Sequence, residues 1–290
     1  MAATTGIIIK GIGGFYYVKT ADGVLECRAK GIFRRQGVTP AAGDRVEVEG
    51  ADGGYVVSAI AARKNCFQRP LAANVDRLFL VVSATDPRPN LFVIDQFTAL
   101  ALLRGVRPAL LLTKTDIDGA AALRAIYVHA GFAVYDANRA DEAAAVRALA
   151  AQPGLSVFTG NSGVGKSTFL NALLPGLSLE TGETSKKLGR GRHTTRAVEL
   201  YACGDGWVAD TPGFSALDFE RDERIPREAL AGLFPEFAPY LGGCRFTGCS
   251  HTVEKGCAVL AALAAGDIEP TRHESYAALY KQACERNAWE

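Results

Sequence analysis

The chain lacks any apolar run of membrane-spanning length, since a transmembrane helix needs about 20 consecutive apolar residues and the apolar stretches here are short. Its start, Met1-Ala2-Ala3-Thr4-Thr5-Gly6-Ile7-Ile8-Ile9-Lys10, carries too short an apolar run for a secretory leader. Together these predict a cytoplasmic protein with no membrane partner. An excess of one charge is missing too: Lys+Arg 32 against Asp+Glu 31 leaves a net charge of +1. Bulk charge therefore gives no reason to expect nucleic-acid binding, which would have to rest on local patches. Repeats and low-complexity tracts are absent, which sets solenoid and disordered architectures aside. Of the seven cysteines, Cys27, Cys66, Cys203 and Cys284 are scattered and form no motif. What remains is an ordinary globular composition: 290 residues with 48% hydrophobic content, enough for two or three domains with buried cores.

Against this background Gly160-Asn161-Ser162-Gly163-Val164-Gly165-Lys166-Ser167 stands out. It fits the pattern G-x-x-x-x-G-K-[ST], in which glycines let backbone N–H groups wrap a triphosphate. Lys166 would reach the β- and γ-phosphates, and Ser167 would offer its hydroxyl to Mg²⁺. The context suits the motif, with Leu155–Thr159 reading as a buried strand and Ser167-Thr168 opening a helix that runs to Leu174.

Forty-four residues after Lys166, the apolar strand Trp207-Val208-Ala209 runs into Asp210-Thr211-Pro212-Gly213. In this D-x-x-G element Asp210 would hold Mg²⁺ through water and the Gly213 N–H would sense the γ-phosphate. Between the two lies the polar segment Gly189-Arg190-Gly191-Arg192-His193-Thr194-Thr195-Arg196, suited to a switch loop in which a threonine joins the Mg²⁺ shell. Thr195 is the first choice for that ligand and Thr194 the reserve. Guanine selectivity would come from Thr113-Lys114-Thr115-Asp116: the Asp116 carboxylate accepts from guanine N1–H and the N2 amine, donors that adenine does not pair, while the Lys114 stem covers the base. This motif stands about fifty residues before the phosphate loop, whereas in ordinary GTPases it follows it. The order of the elements is rotated. A loop that braces the base from a further strand end has its best candidate in Asp136-Ala137-Asn138.

Cys244-x4-Cys249-x-His251-x5-Cys257 places three thiols and an imidazole within fourteen residues. That ligand set predicts a closed tetrahedral site for one structural Zn²⁺.

Residues 1–62 carry five short β-rich runs between glycine turns: Ile7–Ile9, Phe15–Val18, Val24–Ala29, Arg45–Val48 and Tyr55–Ile60. They predict an all-β barrel of the OB type. Lys30-Gly31-Ile32-Phe33-Arg34-Arg35 reads as one more strand run, either an RNA-binding mix of basic and aromatic residues or a solvated cationic edge. Arg63 to Asn74 reads as a linker. Residues 67–220 then alternate strands (Leu78–Val82, Ala109–Leu112, Phe132–Tyr135, Ser156–Phe158, Val198–Tyr201, Trp207–Ala209) with helices (Leu91–Leu103, Ala120–His129, Asp141–Ala150, Lys166–Leu174), which predicts an α/β sheet. Residues 221–290 predict a mostly helical zinc-binding domain, with helices at Glu228–Phe234 and Tyr276–Tyr280.

This combination resembles the RsgA family of bacterial GTPases dependent on the small ribosomal subunit, also called YjeQ or YloQ. Arg69-Pro70, Ala73–Asp76, Thr113–Asp116, Gly160–Thr168, Gly191–Thr195, Asp210–Phe214 and the four zinc ligands carry the resemblance, which spans nearly the whole chain. Family members usually have Asn where Thr113 stands and Thr where Arg196 stands. The resemblance implies a circularly permuted GTPase binding GTP/GDP with Mg²⁺ and one Zn²⁺. It also implies the small subunit and its rRNA as partners, hydrolysis stimulated by that subunit, and a role in late small-subunit maturation; a monomer is expected. Phe214 sits where many GTPases place a water-orienting Gln and cannot do that task. Intrinsic hydrolysis should then be slow, with His193 as the nearby titratable candidate for help, a solvated loop histidine being the other account of it. A second reading follows from Phe214: an RNA-binding barrel and zinc protein whose nucleotide site is a slow or structural switch.

Overall fold

The structure is a computed structural model that describes residues 4–51, 53–68, 71–116, 120–177, 179, 198–211 and 225–287. In chain order its elements are β1 (Thr4–Ile12), β2 (Phe15–Thr20), β3 (Gly23–Ala29), α1 (Gly31–Arg35), β4 (Arg45–Ala51), β5 (Gly54–Ile60), β6 (Cys66–Gln68), β7 (Leu71–Ala73), β8 (Val75–Ser83), α2 (Leu91–Leu103), β9 (Pro108–Thr113), α3 (Ala120–His129), β10 (Ala133–Asp136), α4 (Ala140–Ala150), β11 (Gly154–Thr159), α5 (Lys166–Leu173), β12 (Glu199–Cys203) and β13 (Gly206–Asp210). After these come α6 (Arg227–Leu230), two 3₁₀ turns at Ala231–Leu233 and Pro235–Tyr240, α7 (Ala258–Ala265) and α8 (Pro270–Asn287). The chain partitions into two compact units, Met1–Phe79 with Ala144–Phe214 and Leu80–Ala143 with Ser215–Glu290.

In the first unit β1 to β5 follow the order β1-β2-β3-β5-β4, and β1 pairs again with β4, so the five strands close on themselves. Closure removes the unpaired edges that a five-stranded sheet would otherwise expose. Period-two alternation turns Ile8, Val18, Cys27, Val46, Val48 and Val57 into a common core. The expected strand over Lys30–Arg35 is instead helix α1. As a strand, Phe33 and Arg35 would share a face and a cation would follow the aromatic ring into the barrel. One helical turn buries Phe33 alone and leaves Arg34 and Arg35 exposed.

The expected linker is also structured. β6 and β7 form a short hairpin, and its flanks are pinned to the barrel. Arg63 grips the fully buried Asp44 with Nε–Oδ1 and Nη2–Oδ2 contacts of 2.7 Å each. Asn74 donates from Nδ2 to the Gly43 carbonyl at 3.0 Å, and Ala73 N donates to Ala42 O at 2.9 Å. Gly43 has φ +91°, and a Cβ there would lie 2.1 Å from the Ala73 carbonyl oxygen, so only glycine fits. Three-residue strands leave too little periodicity to be legible in sequence.

The remainder of this unit continues the sheet. β11 runs parallel to β13, β13 antiparallel to β12, and β12 antiparallel to barrel strand β1. Phe158 stacks on Phe79 at 4.7 Å between centroids and lies 5.8 Å from Phe169, which seats α5.

In the second unit β9 and β10 pair in parallel, with β8 beside β9. The expected helices over Leu91–Leu103 and Ala120–His129 form with those bounds. Asn90 caps α2 by accepting from Val93 N at 3.3 Å. The helix expected from Glu228 to Phe234 is shorter, ending as 3₁₀ turns, because Gly232 and Pro235 disfavour a continuing α-helix. Its neighbours make one apolar core from Ala99, Leu230, Leu233, Phe234, Phe237, Val259, Ile268, Tyr276 and Leu279.

Against that core lies Arg272, with its guanidinium fully buried. It donates to Asp95 Oδ1 at 2.6 Å and to Glu236 Oε1 at 2.7 Å, while Tyr127 donates its hydroxyl to Asp95 at 2.9 Å. Phe234, Phe132 and Tyr127 lie 4.6, 5.4 and 5.8 Å from the guanidinium, so the cation is also held by ring faces. Burial pushes the Asp95 carboxyl up, and Arg272 opposes that shift. The helix α8 is thereby joined to α2 and the Pro235–Tyr240 turn. Truncating Arg272 would strand two buried carboxylates. Arg272→Ala is expected to cost about 3–5 kcal/mol of stability, read as a lowered urea midpoint; a loss under about 1 kcal/mol would contradict the role given to this residue.

Candidate functional site

The phosphate-loop sequence occupies the turn between β11 and α5. Gly163 and Gly165 have φ +81° and +94°, in the left-handed region that side chains strain to adopt. Gly165 forms the N-cap of α5, so successive backbone N–H groups and the positive end of the helix face the same turn. Val164 is buried, Ser162 and Thr168 are exposed, and Asn161 and Ser167 are half-buried. Lys166 is 9% exposed. Its ammonium pairs with the Asp210 carboxylate at the end of β13.

That meeting follows from the sheet. β11 and β13 run in parallel with Phe158 opposite Asp210, so both loops leave the carboxyl ends of adjacent strands, where open α/β sheets bind ligands. The buried Thr211 hydroxyl donates to the Phe158 carbonyl at 2.9 Å, tying the residue after Asp210 to the strand before the loop. A cradle of left-handed glycines, a lysine and a carboxylate at one point fits a magnesium-bound triphosphate. Gly213, Phe214, His193, Thr194 and Thr195, the remaining expected contributors, lie outside the described residues.

In the second unit, Thr113 closes β9 and its hydroxyl donates to Val82 O at 3.3 Å. Lys114 takes φ +54° and donates its ammonium to the Asp86 carbonyl. The Ser83 hydroxyl steadies that carbonyl by donating to it at 2.9 Å. Thr115 donates to Asp136 Oδ1 at 2.8 Å, and Asn138 donates from Nδ2 to Asp116 Oδ1 at 3.1 Å. Parallel pairing of Leu112 with Asp136 brings the two loops together. Behind them Glu142 accepts from Asp136 N at 2.7 Å and is gripped by Arg124 at 2.9 and 3.1 Å. Burial alone would raise the Glu142 carboxyl, but these hydrogen bonds and cations hold it below its ordinary value. Ser83, Arg124 and Glu142 carried no sequence signal, because their partners are distant along the chain. Asn138 had been legible only as the best candidate for a bracing loop.

The cysteine cluster assembles as expected in composition. Cys244, Cys249, His251 and Cys257 bring their ligand atoms within 4.8 Å of one another. Cys244 Sγ lies 3.8 Å from Cys257 Sγ, and His251 Nδ1 lies 3.5 and 3.4 Å from these two sulfurs. A tetrahedral zinc with bonds of about 2.3 Å to sulfur and about 2.0–2.1 Å to nitrogen requires edges of about 3.8 and 3.5 Å, so Cys244, His251 and Cys257 sit at the spacing of that ion, with Cys249 close by. The Ala258 N–H points at Cys244 Sγ at 3.3 Å and the Leu260 N–H at Cys257 Sγ at 3.5 Å, as suits thiolates. Outside them, the Glu254 carboxylate accepts from Ser250 N at 2.7 Å and from Thr252 N and Val253 N at 3.2 Å. Despite opposition from burial, hydrogen bonds from the Ser250 hydroxyl and from the Ser250, Glu254 and Val253 N–H groups bring Glu254 down to about 2. His273 contacts the His251 carbonyl oxygen at 2.8 Å and Tyr276 donates to Ser250 O at 2.8 Å, so α8 holds the loop from below.

Comparison with known proteins agrees with this geometry. The family model of the RsgA GTPase matches residues 59–220, and that of the RsgA N-terminal domain matches residues 5–56. The small ribosomal subunit biogenesis GTPase RsgA of Geobacillus thermodenitrificans is 42% identical over 290 residues, covering 97% of this chain and 98% of its own. The RsgA of Halalkalibacterium halodurans is 42% identical across 93% and 94%. Among solved structures, YjeQ from Thermotoga maritima superposes with a TM-score of 0.77 at 28% identity, covering 98% of this chain and 99% of that one. YloQ, described as a circularly permuted GTPase, gives 0.76 at 33%, covering 98% and 96%.

The cysteine site generates a measurable expectation. Elemental analysis of protein purified without chelators should find one zinc per chain, and Cys257→Ala should lower that content while loosening α7, whose N-cap is the same sulfur. Zinc-free protein with an intact carboxy-terminal module would overturn it.

Proposed function

The chain belongs to the RsgA GTPase family, enzymes that hydrolyse GTP, and on that premise we propose that it binds the small ribosomal subunit and hydrolyses GTP there during late subunit maturation. The observation that carries this reading is the pairing of Lys166 with Asp210 at the carboxyl ends of β11 and β13, in a chain whose base-reading motif comes first. In this reading residues 160–168 cradle the phosphates and Lys166 neutralises charge that develops between the β- and γ-phosphates. Bound Mg²⁺ would be held by Ser167 and Thr195, with Asp210 acting through water, and would supply charge neutralisation across the phosphates. Gly213 senses the γ-phosphate, and His193 is the chain's own candidate for helping the attacking water. Thr113–Asp116 read the base: Asp116 accepts from guanine, with Asn138 orienting its carboxylate and Asp86 holding the Lys114 head.

The three segments then divide the work. Residues 1–62 form a barrel for rRNA, 67–220 the permuted GTPase, and 221–290 a zinc-held module. No described helix is long and apolar enough to cross a membrane; the reading places the protein in the cytoplasm as a monomer. GTP turnover measured with and without small subunits tests the proposal. Strong stimulation is expected; slow turnover that small subunits leave unchanged would favour an RNA-binding protein with a structural nucleotide site. Base reading has its own check. Asp116→Asn should move preference from guanosine toward xanthosine nucleotides, since an amide reverses one donor–acceptor pair; equal affinity of the unaltered chain for ATP and GTP would remove Asp116 from the role.

A further inference from the structure

A row of charges crosses the first unit from the barrel to the phosphate loop. On β1, Lys10 lies directly opposite Glu199 of β12, and Glu199 lies directly opposite Asp210 of β13. Residues opposite one another in a ladder project to the same face, with Cβ atoms about 5 Å apart. Lys10 Nζ contacts Glu199 Oε2 at 2.8 Å, and Asp210 in turn meets Lys166. The sequence along the row is cation, carboxylate, carboxylate, cation. Tyr201 stands on the same face, two residues along β12. Burial, the Glu199 charge and hydrogen bond, and the Asp210 charge together push its phenol up to about 12.

Two carboxylates directly opposite each other repel and destabilise a ladder. Here each is given a cation from a different side: Asp210 has Lys166, and Glu199 has Lys10, which the nucleotide-binding segment does not itself contain. Glu199 and Lys10 are more exposed than the inner pair, at 38% and 31% against 22% for Asp210 and 10% for Lys166. The outer pair is therefore reachable by solvent and the inner pair faces the loop.

We propose that Lys10 of the barrel and Glu199 are positioning residues that set the charge beside Asp210, and with it the affinity of the phosphate site for magnesium-bound nucleotide. The proposal rests on the reading of Lys166 and Asp210 as the GTP·Mg²⁺ site and deepens it, because it makes a barrel residue part of that site's electrostatics. With Lys10 in place the outer pair is neutral, and with Lys166 serving the phosphates of a bound nucleotide Asp210 alone contributes negative charge. Removing Lys10 leaves an unneutralised carboxylate next to Asp210 and draws a divalent cation more strongly. Loss of Glu199 leaves an unneutralised ammonium and repels it.

The signs make this testable. Binding of a fluorescent, non-hydrolysable GTP analogue is titrated with Mg²⁺ in the full chain, in Lys10→Met, in Glu199→Gln and in the double variant. Lys10→Met should lower the half-saturating Mg²⁺ concentration roughly twofold to fivefold, the span left for a unit charge at this distance near a screened surface. Glu199→Gln should raise it by a similar factor, and the double variant should return close to the unaltered chain. All three differences should shrink in about 0.5 M salt. A loss of packing would move both single variants the same way, so shifts of equal sign overturn the proposal, as do singles that leave the midpoint unchanged. Should Lys10→Met fail to fold, Lys10→Gln takes its place in the comparison of signs. If the unaltered chain binds no guanine nucleotide, the GTPase-site reading fails instead; if it binds normally and the variants match it, only the charge row fails.

Discussion

Parallel pairing of β11 with β13 is the constraint on which the candidate phosphate site depends. Two strands that run the same way end at the same edge, and the register that sets Phe158 opposite Asp210 delivers the glycine loop and the D-x-x-G aspartate to one point. Every later contact there assumes this edge: Lys166 reaches Asp210 because α5 starts one turn beyond β11, and Thr211 anchors to the Phe158 carbonyl because the strands are neighbours. A shift of one residue would turn Asp210 to the other face of the sheet. The stacking of Phe158 against Phe79 and its contact with Phe169 resist such a shift, since slipping would expose those rings. The same logic operates in the other unit, where parallel β9 and β10 bring Asp116 and Asn138 together.

Circular permutation changes which connections are covalent without changing what the strand ends present. A rotated order keeps each loop at the carboxyl end of its strand, so chemistry that depends on strand ends survives. What the rotation does alter is the neighbourhood of the chain's later part. Residues 215–290 fall in the same compact unit as residues 80–143, and Arg272 is the reason in chemical terms: its buried guanidinium finds one carboxylate on α2 and another in the Pro235–Tyr240 turn. Burying three charges is tolerable only because each is hydrogen-bonded and three aromatic faces surround the cation. α8 then extends from this charge cluster to the cysteine loop, where His273 and Tyr276 hold backbone carbonyls.

The barrel is joined to its neighbours by backbone as well as by side chains. β1 pairs with β2, β4 and β12, so one strand serves both the closed barrel and the sheet that carries Asp210. The Arg63–Asp44 pair and the approach of Gly43 to Ala73 fasten the segment that follows the barrel. Composition predicted a linker there because its strands are too short to show a period; the fastening depends on Asp44, nineteen residues away.

What the sequence by itself determined were features written in short-range patterns. Glycines at positions needing left-handed backbone, a lysine at the helix start, thiols spaced around a turn and helices such as Leu91–Leu103 all follow from local sterics and periodicity, so the glycine loop, the Cys/His cluster and most of the elements were legible. Only the tertiary structure decided whether Lys30–Arg35 is a strand or a helical turn, because burial of Phe33 against the barrel, and no local preference, selects the helix. Likewise it alone decided the partners of charged groups: Lys10 with Glu199 across 189 residues and Arg272 with Asp95 across 177. Local sequence encodes backbone geometry within a few residues, whereas the pairing of distant side chains depends on topology and register, which exist only once the strands have met.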